Sequence, residues 1–84
     1  MASHPFLHPK PISAHITAED VADCRNIADL HGDIANRYSR MASYFRKLGD
    51  RQRAEEYDGK SMQHTTTAAQ WEYEANDMES MLGN

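Results

Sequence analysis

The apolar residues of this chain recur in steps of three and four along most of its length, and one glycine–aspartate pair cuts the pattern in two. Cys24, Ile27, His31, Ile34, Tyr38, Met41, Phe45 and Leu48 make the first stripe. Ala54, Tyr57, Ser61, His64, Ala68, Trp71, Ala75, Met78 and Leu82 make the second. That spacing returns to one side of a helix at every turn, and it never alternates as a strand does. It predicts two amphipathic helices and no sheet. Gly49 suits the left-handed position after a helix C-cap, and Asp50 suits the N-cap of the next helix. A break this short makes the helices double back as an antiparallel hairpin.

The boundaries carry their own signals. Thr17 as N-cap places Asp20 at N3, a capping box with aspartate where glutamate is usual, and sets Ile16 and Val21 at the positions of a hydrophobic staple. Glu19, Asp20 and Asp23 lie in the first two turns, where the helix dipole favours negative charge. The stripe keeps its phase across Gly32, which costs about 1 kcal/mol of helix propensity. One helix is therefore expected over residues 18–48 and a second over 51–82. Gly59 and the β-branched run Thr65, Thr66, Thr67 weaken the middle of the second helix and make it the natural place for a bend.

Folded about Gly49 and Asp50, the stripes meet as a coiled-coil-like seam whose bulky members are Ile27, Ile34, Tyr38, Met41, Phe45, Tyr57, His64, Trp71 and Met78. Ala54, Ser61, Ala68 and Ala75 alternate with them as small positions. The expected levels are Phe45 with Ala54, Tyr38 near Ser61, Ile34 near His64, Ile27 near Trp71 and Cys24 near Ala75. Large would face small at most of them.

Around the turn, Tyr38, Met41, Ala42, Phe45, Gly49, Ala54 and Ser61 occupy the large, aliphatic, small, aromatic, glycine, alanine and small positions of a tetratricopeptide unit. Residues 38–61 thus resemble one such helical hairpin. Asp58 stands where that family has an aromatic residue, no proline closes the unit, and no second copy is present. Solenoid repeats need neighbours to cover their faces. The resemblance implies a tight helical hairpin and does not carry over the family's concave peptide groove.

A chain of 84 residues with 39% hydrophobic and 26% charged side chains is one small domain whose burial is marginal. Two helices alone cannot hide both stripes, and Ala28, Leu30, Ala35, Ala42 and Ala69 widen the sticky surface. A homodimer closing a four-helix bundle is the expected remedy. Pro5, Pro9 and Pro11 make residues 1–16 an extended proline-containing arm, leaving 17–84 as the helical hairpin domain. Cys24 is the only cysteine, so no intramolecular disulfide can form. The start lacks the marks of a secretory signal, and no apolar run reaches the length of a membrane span. A cytoplasmic protein without membrane contact is expected.

Chemistry has little to stand on. There is no phosphate-binding glycine loop, no Cys-x-x-Cys and no His-Glu-x-x-His. Ala28 and Ser61 stand three places before His31 and His64, so the Glu-x-x-His spacing of a helical di-iron site is missing. Cys24 and His31, seven residues apart on one face, read as seam residues and not as nucleophile and base. No catalytic, cofactor-binding or metal-ligating residue is assigned, and no enzyme is expected. His31 and His64 fall in otherwise apolar seams, where a polar residue packs its ring and sets register; the sharper alternative is association that responds to pH. Loss of Met1 would expose Ala2-Ser3-His4, a terminus that wraps Cu(II) or Ni(II) in a square plane. With Met1 retained that site does not exist.

Charge is more informative. Residues 17–33 with 66–84 carry Glu19, Asp20, Asp23, Asp29, Asp33, Glu72, Glu74, Asp77 and Glu79 against Arg25 alone. The half nearer the turn carries Arg37, Arg40, Arg46, Lys47, Arg51, Arg53 and Lys60 against Asp50, Glu55, Glu56 and Asp58. The hairpin is therefore a rod with an acidic open end and a mildly basic tip. The expected function is a non-enzymatic protein–protein interaction module, a small regulator or adaptor. Its partners would be itself and a further protein met by the acidic end, namely Glu19, Asp20, Asp23, Glu72, Glu74, Asp77 and Glu79. The alternative is a small acidic inhibitor that occupies the basic groove of a nucleic-acid-binding protein; anti-CRISPR and other phage-encoded anti-defence proteins are often this small and acidic, but no motif ties the sequence to them. Direct nucleic-acid binding is not expected, since the net charge of −4 repels a phosphate backbone.

Overall fold

The computed structural model describes residues 16–82. The arm expected over residues 1–16 lies outside the described residues except for Ile16. Two helices, α1 (Ala18–Lys47) and α2 (Arg51–Leu82), pack against each other as a hairpin, and no strand occurs among the described residues. Both helices fall within one residue of the expected boundaries.

The ends form for the reasons written in the sequence. Thr17 is extended, its hydroxyl accepts from the Asp20 amide at 3.2 Å, and the Asp20 carboxylate accepts from the Thr17 amide at 2.9 Å, which closes the capping box. At the other end Gly49 takes φ +84°. The Asp50 amide then donates to the Phe45 carbonyl at 2.9 Å and the Gly49 amide to that of Arg46 at 3.1 Å, a Schellman motif. Asp50 turns at once to the second helix. Its carboxylate accepts from the Arg53 amide at 3.1 Å, and its carbonyl accepts from Ala54. One residue therefore finishes α1 and starts α2, which is why three residues suffice for the reversal.

α2 runs unbroken past Gly59 and the threonines. Thr65 and Thr67 donate their hydroxyls to the carbonyls of Ser61 and Gln63, each at 3.0 Å, so their polar groups are satisfied without leaving the helix.

The seam keeps Cys24, His31, Tyr38 and Phe45 of the expected α1 stripe and replaces its other row, Ile27, Ile34 and Met41, by the alanines one position on. Buried in α1 are Val21, Cys24, Ala28, Ala35 and Ala42; buried in α2 are Ala54 and Ala75. Ala28, Ala35 and Ala42, expected beside the seam, stand at its centre. Met41 is 44% exposed and Leu48 62% exposed, while Ile27 and Ile34 are only half-buried. The physical reason is close approach. Small residues every seven positions on both helices let the backbones meet, and the larger aliphatic side chains are left on the flank. Ser61 donates to the Ala35 carbonyl at 2.8 Å, which side-chain bulk at either position would prevent.

The levels change accordingly. Cys24 lies with Ala75 as expected, but His31 meets His64 in place of Ile34, and Tyr38 and Phe45 stack on Tyr57 instead of facing small residues alone. In this antiparallel pair the bulky heptad positions of both helices fall on the same side of the column of small residues along which the helices touch.

Candidate interaction surface

The bulky side forms a ladder of rings taken alternately from the two helices. Phe45 stacks on Tyr57 with centroids 5.5 Å apart and planes 4° apart, Tyr57 on Tyr38 at 5.7 Å, and Tyr38 on His64 at 5.6 Å. His64 then meets His31, with Nδ1 to Nδ1 at 2.9 Å and centroids at 5.1 Å. The centroids are farther apart than the nitrogens by about one ring width, so those nitrogens face each other head-on. One imidazole must donate and the other accept. Beyond the histidines Cys24, Val21 and Ala75 make a small core on which Trp71 and Met78 pack. Near the turn the Arg53 guanidinium lies 5.4 Å over the Phe45 ring.

Tyr38, Phe45, Tyr57, His31, His64, Trp71 and Met78 are all only half-buried. The row Ile27, Ile34 and Met41 of α1, with the C-cap residue Leu48, continues the apolar surface outward from the rings. The result is an apolar strip along one face of the hairpin, made of stacked and half-buried rings.

The opposite face carries the polar pairs that join the two helices. Arg25 reaches across to Glu79 at 2.8 Å and to Asn76 at 3.0 Å, and Arg46 spans to both oxygens of Asp58 at 3.1 and 3.4 Å. The Arg25 hydrogen bond holds the Glu79 carboxyl below the ordinary carboxylate range. These pairs are exposed, so they set helix order more than stability. Between them runs an open groove floored by Ala28, Gly32, Ala68 and Ala69 and rimmed by Asp29, Asp33 and Glu72.

Of the acidic-end residues, Asp20 belongs to the capping box and Glu79 to the Arg25 bridge. Glu19, Asp23, Glu72, Glu74 and Asp77 are exposed. Their heptad positions distribute them around the open end instead of gathering them in one strip. Glu74, Asp23 and Asp20 lie close enough to Cys24 to push its thiol up, adding to the larger effect of burial. That thiol donates to the Met78 sulfur at 3.6 Å. A buried, protonated thiol tied to a thioether is a poor nucleophile. Among the described residues no group of three or more His, Cys, Asp or Glu side chains could hold a metal ion, and no helix is long and apolar enough to cross a membrane.

What sequence reasoning missed was the ladder and the cross-helix pairs Arg25–Glu79, Arg46–Asp58 and His31–His64. A signal for the ladder was present. The small residues Ala28, Ala35, Ala42 and Ala54, Ser61, Ala68, Ala75 each recur at intervals of seven, marking the column along which the helices touch. The pairs had no such signal, because each joins residues far apart in sequence.

Comparison with family models, curated proteins and solved structures gave no match.

Proposed function

We propose that this chain is a non-enzymatic protein–protein interaction module, a small regulator or adaptor, that self-associates through its ring face into a four-helix bundle. The observation that carries the reading is the apolar strip of half-buried rings flanked by Ile27, Ile34, Met41 and Leu48, the last two 44% and 62% exposed. A contiguous apolar face of this kind is costly in water and favours a covering partner. Charge points to a second copy set antiparallel. Its basic tip, with Arg37, Arg40 and Lys47, would lie against the first copy's acidic open end, and the twofold would repeat the contact. Tying up the Cys24 thiol and facing the His31 and His64 nitrogens toward each other support a role without catalysis.

Sedimentation over a range of protein concentrations, at low and at high salt, tests this. A dimer that persists at high salt and is lost in Met41→Glu, with helicity unchanged, supports the reading. A monomer throughout refutes self-association. A second reading is favoured by the exposed carboxylates of Glu19, Asp23, Glu72, Glu74 and Asp77: an acidic inhibitor that occupies the basic groove of a nucleic-acid-binding protein. Such a decoy would compete with DNA or RNA for its target and weaken steeply with salt, whereas a contact made by the rings would tolerate salt.

A further inference from the structure

We infer that the facing imidazoles of His31 and His64 are one half of a site for a borderline divalent transition ion of the zinc class, completed by the same pair of a second chain. The inference rests on the antiparallel self-association proposed for the ring face.

Within the ladder these are the two rings with ring nitrogens, the donors zinc prefers, and they are already aimed at each other, Nδ1 to Nδ1 at 2.9 Å. Imidazole nitrogens held at about 2.0–2.1 Å from a tetrahedral zinc ion stand about 3.3–3.4 Å apart. The pair therefore needs to open by about half an ångström. The donating imidazole must also pass its Nδ1 proton to its own Nε2 by way of water, so that both rings are neutral with free Nδ1 lone pairs, and each ring must turn so that its lone pair points at the metal. Both residues sit on long helices, and Tyr38 backs His64 from the other side at 5.6 Å, so the rings are held by rigid elements.

Two ligands are too few for a closed zinc site, and no third His, Cys, Asp or Glu joins them among the described residues. The position of the pair along the rod supplies the rest. His31 lies 13 residues from the start of α1 and 16 from its end. His64 lies 13 residues from the start of α2 and 18 from its end. The pair is near the middle of the hairpin, on the face with the rings. A twofold axis that sets two hairpins antiparallel crosses the rods at that level, so it returns the second pair to the first. Four imidazole nitrogens then share one level of the bundle, the number a tetrahedral ion takes.

The test uses the full chain, freed of metal with a chelator and titrated with zinc chloride while calorimetry reads stoichiometry and sedimentation reads assembly. Zinc is chosen over copper because an amino-terminal Ala2-Ser3-His4 motif, if exposed by loss of Met1, favours square-planar ions. The expected result is one zinc per two chains and a dimer that persists at lower protein concentration than without the ion. Both effects should be lost in His31→Phe and in His64→Phe, which keep a ring in the ladder, and retained in His4→Gln. Circular dichroism checks that the variants stay helical, and His31→Gln and His64→Gln provide a second pair should the phenylalanines disturb the fold. Zinc bound equally by wild type and variants, or one zinc per chain with no effect on assembly, overturns the inference. A dimer indifferent to zinc overturns it too, while leaving the self-association standing. A monomer with and without zinc overturns both.

Discussion

Ala42 is 0% exposed and belongs to the column of small residues along which the helices touch. Replacing it with leucine adds three carbons where the opposing backbone leaves no room, so either the leucine leaves its preferred rotamer or the helices separate locally. Overpacking of a filled site costs about 1–3 kcal/mol. A hairpin of this size has a total stability of about 3–10 kcal/mol at the usual value per residue, so the loss is a large share of it. With a urea dependence of about 1 kcal/mol per molar, fitting for a small domain, the unfolding midpoint falls by about 1–3 M. Circular dichroism at low protein concentration, where association contributes least, reads that midpoint. Met41→Ala is the control, because a side chain 44% exposed at the neighbouring position should cost under about 1 kcal/mol. If α1 instead packed through the row of Ile27, Ile34 and Met41, the order would invert. Met41→Ala would then cost about 2–5 kcal/mol, and Ala42→Leu would be nearly silent. Either half of that inverted result refutes the alanine seam.

Ser61→Ala removes the hydrogen bond to the Ala35 carbonyl at 2.8 Å, and urea unfolding should show a loss of about 0.5–1.5 kcal/mol. Gly49→Ala should cost about 1–2 kcal/mol purely through its φ of +84°, since the added methyl would meet nothing within 4 Å; a neutral thermal melt would count against the Schellman turn. Cys24, whose thiol is pushed up by burial and by Glu74, Asp23 and Asp20, should react slowly with iodoacetamide until the chain unfolds. The same shift has a sign for stability: the folded state holds the proton longer, so stability is full below the ordinary thiol pKa and falls as pH rises from there toward the raised value. Cys24→Ser should flatten that alkaline limb of the stability profile. Glu79 behaves oppositely, because Arg25 holds its carboxyl down. Its contribution is present above the ordinary carboxylate pKa and lost as pH falls through the lowered one, so acid titration of Glu79→Gln should lack that step.

Local order in the sequence specifies much of this protein. The steps of three and four, Thr17 with Asp20, and Gly49 with Asp50 set two helices, their ends and the reversal, because caps and turns involve residues within four positions of one another. The acidic open end and basic tip come with the hairpin once it is drawn. Which side of α1 turns inward is settled by packing alone. Hydrophobicity weighs isoleucine and methionine above alanine, and it favours the row of Ile27, Ile34 and Met41. The packed hairpin favours Ala28, Ala35 and Ala42, because two backbones can approach only where side chains are small on both. With the alanines at the contact, Phe45, Tyr57, Tyr38, His64 and His31 line up as a single ladder beside it and the aliphatic row is left outside. The His31–His64 contact joins residues 33 positions apart, and no spacing rule within either helix encodes it. It exists because two helices meet in one register, and that register is set by the alanines.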